Sequence, residues 1–222
     1  MSSSDFPKPD CHAVLNSEVM LMSKLTVQEF VTIDGFAAAP DGALDFMPSG
    51  GRTPTDPQIE RDQLRFIKDE VGTMLLGRTT YQIFVDYWPT ATADKEIIAD
   101  ELNALSKVVA SRTLDHAPWG DRGDEATIAR DGVEAAAALR RQSNKGVVVW
   151  GSLTLAQSLM RAGLVDECQL YLCPSVLGAG KRLFAPHTGL PAMRLLEATR
   201  YDSGVILLRY VPERAGPAAG AV

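Results

Sequence analysis

A chain of 222 residues with 45% hydrophobic and 23% charged residues has the size and balance of one enzyme-sized globular domain with a sizeable core. Its 22 Lys and Arg against 28 Asp and Glu leave a net charge of -6 with no basic stripe, which argues against nucleic acid as a partner. No apolar run is long enough to span a bilayer, and Cys11, Cys168 and Cys173 lack the spacing of a disulfide framework or a zinc site, so a cytoplasmic protein without membrane contact is expected.

Residues 1–22 are rich in Ser, Pro and Asp without a period and read as a disordered extension; 23–212 read as one domain and 213–222 as a flexible tail. Lys24 to Ile33 predicts the first strand, ended by Asp34-Gly35. Residues 37–54 form a long loop, in which Phe46 and Met47 either cover a ligand or fold back on the core. Asp56-Pro57 caps and starts a helix expected to run to about Val71, with Gly72 breaking it. Thr73 to Leu76 reads as a buried strand. It leads into Gly77-Arg78-Thr79-Thr80, where Thr79 and Gln82 have capping-box spacing. Further helices are expected over 94–105, from Asp131 to about Arg141, and over 152–162; further strands over 107–110, 127–129, 146–150 and 168–176. Met193 to Tyr201 and Val205 to Val211 alternate apolar and polar residues around Asp202-Ser203-Gly204, a hairpin.

Val147-Val148-Val149 reads as a strand buried on both faces. Gly151 then permits a sharp turn, and Ser152 is placed to cap the helix beyond it. Strand–helix units followed by an antiparallel ending predict one α/β domain with a mainly parallel sheet. His12, His116 and His187 are scattered, so neither a metal centre nor a histidine-based triad has support.

Open α/β sheets bind ligands beyond the carboxyl ends of their strands. Three such ends carry anion-binding chemistry: Gly77 to Thr80, Ser111 to Thr113, and Gly151 to Leu155. Helix N-termini suit a pyrophosphate, and Arg with Ser suits a 2′-phosphate. NADPH is therefore the expected cofactor, outside the usual GxGxxG pattern.

The segments Thr32-Ile33-Asp34-Gly35, Leu76-Gly77-Arg78-Thr79-Thr80-Tyr81, Val108 to Thr113, Trp150-Gly151-Ser152 with Leu164-Val165-Asp166-Glu167, and Pro174 to Lys181 stand in order over Leu25 to Val211. Together they resemble the dihydrofolate-reductase-like superfamily, above all the reductase domain that ends the bifunctional riboflavin-biosynthesis deaminase/reductases, and its stand-alone relatives. The resemblance implies a three-layer fold with a mainly parallel central sheet and an antiparallel C-terminal edge hairpin. It implies NADPH bound by Gly77, Arg78, Thr79 and Thr80 at a phosphate turn, by Ser111 and Arg112 at the 2′-phosphate, by Trp150, Gly151, Ser152, Leu153 and Thr154 at a wrapping turn, and by Ile33 beside the nicotinamide. Asp34, Phe46 and Trp88 are the candidates for the substrate side; no proton donor is assigned. Asp62 has the spacing of the pterin-binding carboxylate of true dihydrofolate reductases, but Glu60, Arg61 and Arg65 around it favour a solvated face.

The implied activity is hydride transfer to a C=N or C=O group of a small pyrimidine- or pterin-like substrate. Reduction of 5-amino-6-(5-phosphoribosylamino)uracil and a non-catalytic nucleotide-binding role are the alternatives. A homodimer is implied too, and Cys168 to Val176 is the candidate for its interface strand.

Overall fold

A computed structural model describes residues 22–47, 56–121, 123–142, 144–184 and 192–213. The expected extension (to residue 21), the expected tail (from residue 214) and the 48–55 part of the long loop lie outside these. So do Cys11, His12 and His187.

In chain order the elements are β1 (Leu25–Thr32), β2 (Phe36–Ala38), α1 (Pro57–Glu70), β3 (Val71–Gly77), α2 (Arg78–Val85), a 3-10 turn (Trp88–Thr90), α3 (Ala99–Ala104), β4 (Ser106–Ala110), β5 (Thr127–Ala129), α4 (Gly132–Gln142), β6 (Gly146–Trp150), α5 (Leu153–Arg161), β7 (Glu167–Cys173), β8 (Lys181–Arg182), β9 (Met193–Arg200) and β10 (Ile206–Pro212). Eight strands form one sheet in the order β5-β4-β3-β6-β1-β7-β10-β9. The first six are parallel; β10 runs antiparallel to β7, and β9 antiparallel to β10. This is the expected α/β fold with an antiparallel C-terminal edge. The short pair β2–β8 stands apart from the sheet.

Strand alternation explains the three layers. Met74, Leu76 and Val148 pack with Phe66, Ile67, Tyr81 and Leu102 of α1, α2 and α3 on one face. Leu75, Val147 and Val149 pack with Ala136, Ala156 and Leu159 of α4 and α5 on the other. The valines of β6 thus feed both cores, as a strand covered on two faces must.

Several boundaries differ from expectation. The first helix stops at Glu70 without needing Gly72: Val71 already has strand geometry and donates its N–H to the Ile67 carbonyl. Gly72 lies within β3. The helix expected over 94–105 is confined to Ala99–Ala104, because the preceding residues are held in turns, with Glu96 N–H on the Thr92 carbonyl and the Glu96 carboxylate taking the Tyr87 hydroxyl. Residues 174–176 leave the last parallel strand, which ends at Cys173. Both edges of β7 are occupied, by β1 and β10, so only its faces remain for another chain. Among the described residues no helix is long and apolar enough to cross a membrane.

Candidate functional site

Strands β3, β4 and β6 end on the same rim of the sheet because they run parallel and in register. The turns that leave these strands therefore meet at one place. After β6 the chain takes two consecutive left-handed residues, Gly151 at φ 54° and Ser152 at φ 56°. A Cβ at Gly151 would sit 2.9 Å from Thr80 Oγ1, so the position admits only glycine without displacement. Contrary to the expectation from sequence, Ser152 does not cap its own helix. Its Oγ instead accepts the Gly77 N–H at 2.7 Å, and its own N–H donates to Thr80 Oγ1 at 2.9 Å. The turns after β3 and β6 are thereby latched to each other.

The capping box expected at Thr79 and Gln82 is not formed either. The N-cap of α2 is Gly77, and neither α2 nor α5 has a side-chain cap. Two helix N-termini thus present unsatisfied amide groups at one site, where the helix dipoles favour an anion. The third turn joins through Arg78, whose guanidinium donates to Thr113 Oγ1 at 3.3 Å. The Ser111 hydroxyl accepts the N–H groups of Thr113 and Leu114, which shapes that turn. Behind it, Arg130 donates to the Ser111 and Leu114 carbonyls. Arg112 is exposed and makes no ion pair among the described residues.

These turns line a cleft of about 1110 Å³, larger than the usual 300–1,000 Å³ pocket for one small ligand. Gly77, Arg78, Thr79, Thr80, Ser111, Arg112, Trp150, Gly151, Ser152, Leu153 and Thr154 all lie on its wall, as does Trp88. An aromatic side is built from Phe84, whose ring lies 6.2 Å from those of both Trp88 and Trp150. Trp150 is fixed by its Nε1–H to Gln28 Oε1 at 2.6 Å.

Three expected site residues lie elsewhere. Ile33 is 62% exposed and off the cleft, because β1 has ended at Thr32. Asp34 turns to the loop after β7, accepting from Thr32 Oγ1, Leu177 N–H and Gly178 N–H. The Thr32 hydroxyl and those amides hold its carboxyl below the usual carboxylate range. Phe46 is buried against Tyr171 and Cys173; its neighbour Met47 reaches the cleft wall. Asp62 accepts the Tyr201 hydroxyl and pairs with Arg65, while the next residue, Gln63, faces the cleft.

The cleft also holds residues that the motifs did not mark: Gln28, Glu29, Gln63 and Arg130. Glu29 is the most unusual. It is 7% exposed, its carboxyl makes no hydrogen bond or ion pair with a described residue, and its Oε1 is sealed from solvent. Burial alone raises the carboxyl to about 8. The signal was Gln28-Glu29 itself, two adjacent amide and carboxyl side chains inside a buried strand whose other polar residues are threonines.

The chain is 27% identical over 184 residues to the uncharacterized protein YyaP of Bacillus subtilis, covering 81% of this chain and 90% of that one. Among solved structures it is similar to the diaminohydroxyphosphoribosylaminopyrimidine deaminase/5-amino-6-(5-phosphoribosylamino)uracil reductase of Thermotoga maritima, with a TM-score of 0.57 and 15% identity over 86% of this chain and 57% of that one. It is similar too to dihydrofolate reductase from Enterococcus faecalis complexed with NADP(H), with a TM-score of 0.55 and 12% identity over 86% and 97% of the two chains. These likenesses establish a dihydrofolate-reductase-like fold. The family model of the RibD C-terminal domain matches residues 23–207, and the chain belongs to that family.

Proposed function

We propose that the protein is an NADPH-dependent oxidoreductase that reduces a C=N or C=O group of a small pyrimidine- or pterin-like substrate. The observation that carries this reading is the pair of uncapped helix N-termini latched at one rim beside Arg78 and Arg112. The reductase named for the Thermotoga maritima relative and the NADP(H) named for the Enterococcus faecalis one support it.

The residues present fit such a cofactor. The amides of Arg78 to Thr80, of Gly151 and of Leu153 and Thr154 would hold the pyrophosphate, while those of Gly77 and Ser152 stay in the latch. Arg112, with Ser111 and the Arg130 behind it, would hold the 2′-phosphate. Bound there, the nicotinamide supplies the hydride. The chain's own work is to orient and to exclude water: Phe84, Trp88 and Trp150 offer flat apolar faces to a heterocycle. We further propose a homodimer. Leu170, Leu172, Leu208 and Leu195 share one face of β7, β10 and β9, as their pairing requires, and Leu195 is 47% exposed. Sedimentation would show a dimer of this chain if that face is an interface.

The activity test is to incubate the protein with NADPH and a panel of dihydropterins, aminopyrimidines and quinones and to follow cofactor absorbance. Oxidation with one class is expected. Tight NADPH binding without turnover on any member would instead support a nucleotide-binding module.

A further inference from the structure

The register of β1 places Glu29 where the sheet opens. β1 pairs with β6 only from Leu25 to Gln28, whereas it pairs with β7 as far as Thr32. From Glu29 onward, no strand among the described residues pairs with the edge of β1 that faced β6. That gap is where β6 departs through Gly151 into α5. Alternation puts Glu29 on the face of Val27 and Val31, which pack in the same core as Leu153 and Ala156 of α5. The carboxyl thus stands on the α5 side of the cleft, behind the wrapping turn, and away from Phe84 and Trp88.

A carboxyl buried without a partner is costly, because its lost hydration is not replaced. Glu29 is more than nine-tenths buried, lines the cleft, and has an orphaned oxygen. A ligand group with both a donor and an acceptor would satisfy it. We propose that Glu29 is a cofactor-contacting residue, its carboxyl forming a paired hydrogen bond with the carboxamide of the nicotinamide ring, the donor to the amide oxygen and the acceptor to the amide NH2. The proposal rests on the NADPH reading above. A carboxyl that keeps its proton offers one O–H and one acceptor oxygen, the complement of a primary amide. Its burial, which raises it to about 8, keeps that proton in place near neutral pH.

The test compares NADPH with 2′-phosphoadenosine diphosphoribose, which lacks the nicotinamide, by calorimetric titration into the wild type, Glu29→Gln and Glu29→Leu. Glu29→Leu should weaken NADPH at least about tenfold and leave the fragment unchanged; Glu29→Gln, still donor and acceptor, should stay within about threefold of wild type. The 3-acetylpyridine analogue of NADPH, without the NH2, gives a second measurement on the unmodified protein: it should bind several-fold more weakly than NADPH. Equal loss for NADPH and fragment, or a wild type indifferent to the acetyl replacement, overturns the role of Glu29 while the cofactor reading stands. A wild type that binds neither NADPH nor the fragment overturns both.

Discussion

Two glutamates on neighbouring strands have opposite fates. Glu167 begins β7 and is 1% exposed; Glu29 lies on β1, where Thr26 is the partner of Glu167. Glu167 accepts from Arg209 Nε at 2.7 Å and Gln169 Nε2 at 2.8 Å, and pairs with Lys24. Burial pushes its carboxyl up, but those donors outweigh it and leave it below the usual range. Glu29 receives none of this and moves up. The chain can satisfy a buried carboxylate, and does so where β7 begins. That it leaves one unsatisfied at the cleft marks the difference between a group that holds the sheet and a group kept for a ligand.

The largest effect should come from Glu167→Ala. It strands Arg209 and Gln169 and is expected to cost about 3–5 kcal/mol, read by urea unfolding. A loss under about 1 kcal/mol would break the comparison at its structural end.

Glu29→Gln should act in the other direction, with a pH signature. The folded carboxyl is raised from 4.5 to about 8. The stability it contributes by keeping its proton is therefore full below about pH 4.5 and is lost as pH rises through about 8. The variant escapes that loss, so it should be more stable than wild type by on the order of a few kcal/mol above pH 8 and equal to it at pH 4. Parallel stability curves across that range would mean that Glu29 is solvated or paired.

Ser152 offers a smaller test of the latch between turns. Ser152→Ala removes the acceptor for Gly77 N–H and should cost about 1 kcal/mol in thermal unfolding. Ser152→Gly loses the same bond but relieves a left-handed Cβ strain of about 1–2 kcal/mol, so it should lie at or above wild type. If both variants fall equally, backbone strain at Ser152 plays no part.

The sequence made the frame legible where local signals agree with the global fold. Val147 to Val149 must be covered on both faces, Asp56-Pro57 caps α1 as expected, with Asp56 Oδ1 taking Gln58 N–H at 2.8 Å, and the three strand ends carry their own chemistry. Legibility failed where long-range geometry decides. Ser152 follows Gly151 like an N-cap, yet its hydroxyl is taken by Gly77, 75 residues earlier. Asp34 stands at the mouth of β1, yet the loop after β7 captures it. Glu29 carried no motif, and only the strand register shows that pairing with β6 ends one residue before it.

The central claim is that three separate turns form one site for a dinucleotide that carries a 2′-phosphate besides its pyrophosphate. Titration of NADPH against NADH, with wild type and Arg112→Ala followed by cofactor fluorescence, tests it most directly. NADPH should bind at least about tenfold more tightly than NADH, and Arg112→Ala should cut that preference several-fold by weakening NADPH alone, as loss of a charge-assisted bond to a 2′-phosphate requires. Equal affinity for the two cofactors, or a preference undiminished in Arg112→Ala, would contradict it.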